Sequence, residues 1–212
     1  MSQTMLSSES TRVEVADRER VLAASAKLFR EKGFERTSVR EIASACGILP
    51  GSLHYRYRSK DDILVDMMRL AIERTIYRIV EATSAIQDPL KKMQSALQTH
   101  VDILMSGDDM VYVLLFEWRS VHGVAREQII AERDRYERYW QTILDDLQSY
   151  GCIRNDVDAD LLRLIGLGAI NWAATWYKEN GKYNLEQIAD AIWQMMTRGI
   201  LNPDFHEEAK NL

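Results

Sequence analysis

The sequence predicts an all-α fold: an N-terminal three-helix head built on a helix-turn-helix, followed by a larger all-helical body. Three observations carry this. Apolar residues recur at helical spacing in segment after segment, strand-like alternation is missing, and only three prolines interrupt 212 residues. At 46% hydrophobic and 28% charged, the composition is that of a globular protein able to bury a core without staples.

The first helix starts near Asp17, turns Val21, Leu22, Ser25, Leu28 and Phe29 to one face, and stops at Gly33. Ser38 opens the second, with Glu41 three residues on completing a capping box, and it ends near Cys46. Gly47 makes the turn. Pro50 suits the first turn of a third, very short helix, over by Arg58 because Ser59 and Asp62 set up another cap. From there a long helix runs to about Ser84, its apolar residues in pairs from Ile63-Leu64 onward.

Asp88-Pro89 opens the next helix, which closes before Ser106-Gly107; Met110 to Val121, Glu127 to Tyr150, Asp158 to Tyr177 and Leu185 to Ile200 follow. The expected organisation is a loose tail over 1–16, a helix-turn-helix domain over 17–62, a larger helical domain over 63–205, to which the resemblance described below assigns effector binding and dimerisation, and a tail over 206–212.

Cys46 and Cys152 are far apart and lack metal-ligand spacing, so neither a disulfide framework nor a metal site is expected, and a reduced, cytoplasmic compartment is the default. Residues 1–16 have no apolar run of the kind a signal peptide needs. The longest uncharged stretch, Leu164 to Tyr177, is 14 residues, short of the roughly 20 that span a bilayer. No cofactor or membrane partner is indicated.

Net charge is -5, yet from Asp17 to Lys60 ten Lys/Arg face five acids. A basic head on an acidic remainder is the asymmetry of a DNA-binding module joined to something else. In the head, Ile42, Ile48 and Leu53 are placed to hold the helix pair against Leu28 and Phe29, freeing the short helix for a major groove. Thr37 and Ser38 at one helix start suit phosphate oxygens, as do Tyr55 and Lys60 by side chain. Arg40 can donate two hydrogen bonds to a guanine, and Pro50, Gly51, Ser52, His54 and Arg56 bring the short helix to neighbouring base edges or phosphates. Tyr57 is expected to pack beneath that helix.

Residues 20–64 resemble the N-terminal domain of TetR-type transcriptional regulators, through Gly33, Thr37 to Ala43, Gly47-Ile48, Gly51-Ser52-Leu53, His54-Tyr55-Arg56-Tyr57, Ser59-Lys60 and Leu64. The family commonly has Tyr where this chain has His54, so a phenol is missing there and Arg56 and Arg58 supply cations beside it. The resemblance implies a homodimer, a head that reads a palindromic operator of double-stranded DNA, an effector pocket in the body, and a dimer interface from the last two helices. The run from Asn171 to Ile200 is similar to the ends of members that govern fatty-acid or acyl-CoA breakdown. That similarity implies a repressor released by a long-chain acyl-CoA or fatty acid; the alternative is a repressor of efflux or detoxification genes answering a lipophilic drug.

Candidate effector residues are Trp118, Arg119, Asn171, Trp172 and Trp176. Aromatics at helical spacing also make ordinary core. Arg119 and Glu117 sit in the apolar Met110 to Val121 segment, where a charge must be paired or must meet a ligand: an anion for Arg119, a cation for Glu117. An enzyme is not expected. Glu117 and His122, five apart, do not stack on one helix face, and no nucleophile elbow or phosphate-cradling glycine loop accompanies them.

Overall fold

The computed structural model describes residues 2–200, with side chains over 17–199. Among the described residues it is all helix: α1 (Ser2–Lys32), α2 (Val39–Ala45), α3 (Pro50–Arg56), α4 (Lys60–Thr83), α5 (Pro89–Leu104), α6 (Asp109–Phe116), α7 (Gly123–Ser149), α8 (Ala159–Trp176) and α9 (Leu185–Ile200), with a 3-10 turn at Trp118–Ser120. The expected loose tail is in part a continuation of α1, since neither Gly nor Pro interrupts the chain from Ser2 to Lys32. The tail expected at 206–212 lies outside the described residues.

Over the described residues the chain divides into two compact units, one of residues 2–71 and 109–130 and the other of residues 72–108 and 131–200. The first unit therefore extends past the expected boundary at 62. Ile63, Leu64, Met67 and Met68 of α4 are fully buried in the same core as Leu22, Phe29, Ile42 and Leu53, and Met110, Val113, Val121 and Ile129 join them. Each such side chain contributes about 1.5–3 kcal/mol by leaving water, so the paired apolar residues of α4 tie its first half to the head. α6 packs on α1, where Arg30 meets Asp109 at 2.8 Å and lies 5.1 Å from the Tyr112 ring.

In the second unit α5 packs against α8 and α9. Local caps set the helix starts. Asp88 accepts from the N–H groups of Leu90 and Lys91, Asp158 from that of Leu161, and Asn184 and Gln187 form a reciprocal box at 2.8 and 3.0 Å. Among the described residues no helix is long and apolar enough to cross a membrane.

His100 is buried in this unit with Tyr136, whose hydroxyl lies 2.8 Å from Nδ1, and with Trp140 edge-on at 5.4 Å. Burial pushes the imidazole down to about 3, so it is neutral in the fold but protonates near 6.5 in the unfolded chain. The unfolded chain then binds more protons between those values, and stability falls as pH drops from about 6.5 toward 3, by at most about 1.4 kcal/mol per pH unit. Urea midpoints measured across that window should fall with acid, and more shallowly in His100→Gln.

Candidate functional site

Local sequence builds the helix-turn-helix. Ser38 Oγ accepts from the Glu41 N–H at 3.3 Å while the Glu41 carboxylate accepts from the Ser38 N–H at 2.8 Å, which starts α2. The Lys32 ammonium, followed by the Ser38 donors, holds the Glu41 carboxyl at about 2. α2 stops in a Schellman turn: Gly47 N–H donates to Ser44 C=O and Ile48 N–H to Ala43 C=O, with Gly47 at φ 67°. A side chain at that φ would be strained, so glycine fixes the angle between α2 and α3.

Pro50 occupies the first turn of α3, and Leu53 is its buried anchor. The rest of α3 faces outward: Pro50, Gly51, Ser52, His54, Tyr55 and Arg56 are exposed, Tyr55 by 96%, and so is Arg40 of α2. A Cβ built on Gly51 meets nothing within 4 Å, so packing inside the chain does not require glycine there. The missing side chain leaves room for the close approach of an outside partner.

Tyr57 packs beneath α3, 6% exposed, and its hydroxyl donates to Asp66 Oδ2 at 2.6 Å. Arg18 donates to both oxygens of the same carboxylate, at 2.9 and 2.7 Å. Burial alone would raise Asp66, but Arg18 and Tyr57 outweigh it and hold the carboxyl below the usual range; burial, then Asp66, pushes the Tyr57 phenol up. The triad pins the end of α3 to α1 and α4, and sequence reading missed it because the partners stand 48 and 9 residues apart.

Two expected phosphate contacts are placed differently. Thr37 is 2% exposed and its hydroxyl donates to Gly33 C=O at 2.9 Å, closing the end of α1, so it faces inward. Lys60 donates to Phe34 C=O at 2.6 Å and Glu35 C=O at 3.2 Å, with its ammonium 4.2 Å from the Phe34 ring. It tethers the loop between α1 and α2.

Glu117 accepts from the backbone N–H of Phe34 at 3.2 Å, which accounts for a carboxylate in an apolar segment. Trp118 and Arg119 lie in the first unit, and Asn171, Trp172 and Trp176 in the second. Trp172 is 68% and Trp176 46% exposed, on a face of α8 that also shows Leu161, Leu164 and Ile165. A cavity of about 10 Å³ inside the second unit is walled by other residues: Met93, Trp140, Leu144, Leu162, Leu167 and Met196, with Arg163, Gly166 and Ile170.

Residues 21–67 match the family model of bacterial regulatory proteins of the tetR family, and residues 87–200 that of the tetracyclin repressor-like C-terminal domain. The chain belongs to the TetR family. This TetR-family protein is a DNA-binding transcriptional regulator and not an enzyme. It is 24% identical over 185 residues to the HTH-type transcriptional repressor KstR2 of Mycolicibacterium smegmatis, covering 86% of this chain and 90% of that one. The crystal structure of the superantigen PfiT is similar at 31% identity and a TM-score of 0.76, covering 89% of this chain and 97% of the other. FadR from Bacillus subtilis, solved in complex with stearoyl-CoA, shares the fold at 22% identity and a TM-score of 0.77, covering 86% and 98%.

Proposed function

We propose that this TetR-family repressor binds a palindromic operator as a homodimer and is released by a long-chain acyl-CoA or fatty acid. The cavity of the second unit carries the effector reading. Its walls are aliphatic and aromatic, two of them flexible methionines, and the only cation among them, Arg163, is committed to Glu137 and Gln141. A Cβ on Gly166 would come within 3.3 Å of Met196 Cε, so glycine keeps the space open.

At about 10 Å³ the cavity has room for about one water molecule. An acyl chain enters only as the walls part, so it selects a conformation other than this one. α4 and α7 are continuous through both units and carry such a change along the chain. The stearoyl-CoA bound by the similarly folded FadR supports the choice of ligand class. A tenfold loss of operator affinity requires the ligand to favour the released state by about 1.4 kcal/mol.

Operator binding measured against acyl-CoA tests this. Micromolar long-chain acyl-CoA should release DNA and shift the fluorescence of Trp140, a wall of the cavity, in one concentration range. In the same assay Arg40→Ala should relax preference at one base pair per half-site by about 1–3 kcal/mol. Release by a lipophilic cation but by no acyl-CoA would replace this reading with drug sensing.

A further inference from the structure

Arg119, singled out in the sequence, finds a companion that the sequence did not suggest. The guanidinium carbons of Arg119 and Arg126 lie 5.0 and 5.3 Å from the centre of the Trp118 ring, so two cations share one indole. Arg119 is exposed, and Trp118 and Arg126 are half-buried. Among the described residues neither arginine has a carboxylate within 4.0 Å. Glu117, the acid nearest to Trp118 in sequence, is turned to the Phe34 N–H, and the first turn of α7 has no acid.

Two guanidinium groups held together without a counter-ion repel each other, and a dianion placed between them reverses the sign of that interaction. Arginine forks match phosphate oxygens two at a time, and a half-exposed indole offers a flat apolar surface for a purine ring. We infer that Trp118, Arg119 and Arg126 form a site for a phosphorylated adenine nucleotide, the charged portion of a coenzyme A thioester. The assignment of coenzyme A as its source rests on the acyl-CoA reading above; DNA backbone offers the same phosphate chemistry from a second source.

The experiment uses the full-length protein with adenosine 3′,5′-bisphosphate, free coenzyme A, a long-chain acyl-CoA and operator DNA as separate probes. Calorimetry should show the bisphosphate and coenzyme A binding, with indole quenching that Trp118→Phe removes. Arg119→Gln and Arg126→Gln should each weaken binding about tenfold, whereas Arg78→Gln, an exposed arginine of the second unit, should not. Circular dichroism checks that each variant is folded, and the exposed Arg119 provides the milder of the two arginine variants.

Absence of bisphosphate binding, or binding untouched by both arginine variants, overturns the site. So does an arginine dependence seen with operator DNA alone. Acyl-CoA that fails to release DNA while the bisphosphate still binds through the arginines removes the effector reading and leaves the nucleotide site standing. Acyl-CoA that releases DNA equally well from both arginine variants leaves the effector reading and removes the site.

Discussion

Asp66→Ala is expected to lower stability by about 2–4 kcal/mol, because it leaves a guanidinium and a buried phenol without their shared acceptor. The carboxylate takes two bonds from Arg18 and one from Tyr57, and its side chain is only 19% exposed. By contrast the exposed Lys32–Glu41 pair, at 2.7 Å, is screened by water and contributes little. Tyr57→Phe should fall between the two, since it deletes one donor and leaves the bidentate pair intact. Denaturant unfolding of Asp66→Ala, Tyr57→Phe and Lys32→Ala ranks the three. Operator affinity should drop with Asp66→Ala even where the protein stays folded, because Tyr57 ends α3 and its tether sets the tilt of the recognition surface. An Asp66→Ala protein with a wild-type midpoint and wild-type operator affinity would show that the triad does not hold the head together.

The parts of the fold that were legible in the sequence are those fixed within three or four residues. The Ser38–Glu41 box, the Ser59–Asp62 box and the Asp88 cap all act at i to i+2 or i+3, and all are present. Side-chain periodicity also gave the buried face of α1, because Val21, Leu22, Ser25 and Phe29 share one stripe. Periodicity says which face is apolar, though, and not what covers it. Trp140 and Trp172 both lie in helices with apolar faces, yet one is 2% and the other 68% exposed.

Contacts between distant segments left no local trace. Lys60 reads as a phosphate ligand because a lysine at a helix start usually reaches outward, and only the placement of Phe34 and Glu35 turns it inward. Thr37 reads as a capping hydroxyl until the end of α1 comes within reach. Glu117 follows the same rule: its partner is a backbone N–H 83 residues away, a group no side-chain motif can announce. A charge inside an apolar segment is a sound sign that some partner exists, and the fold decides whether that partner is a ligand or the chain itself.

Met195→Glu should convert the protein to a monomer without unfolding it, and operator affinity should fall by about two orders of magnitude or more as the second half-site loses its tethered partner. Met195 is 60% exposed on α9, and α8 shows Leu161, Leu164, Ile165 and Trp172 between 53% and 68% exposed. The α8 residues recur at i, i+3, i+4 and i+11, a stripe along one helix face, and apolar surface on that scale marks an interface. A carboxylate placed there must be desolvated twice in a two-fold dimer, once from each protomer. Ile192 stands differently. At 8% exposed it belongs to the core of its own unit, so Ile192→Glu buries an unpaired charge and should cost the fold itself. The pair of variants separates association from stability: sedimentation and operator binding read the first, thermal unfolding the second. Wild-type protein that sediments as a monomer at micromolar concentration, or Met195→Glu protein that remains dimeric with full operator affinity, would remove α8 and α9 from the dimer interface.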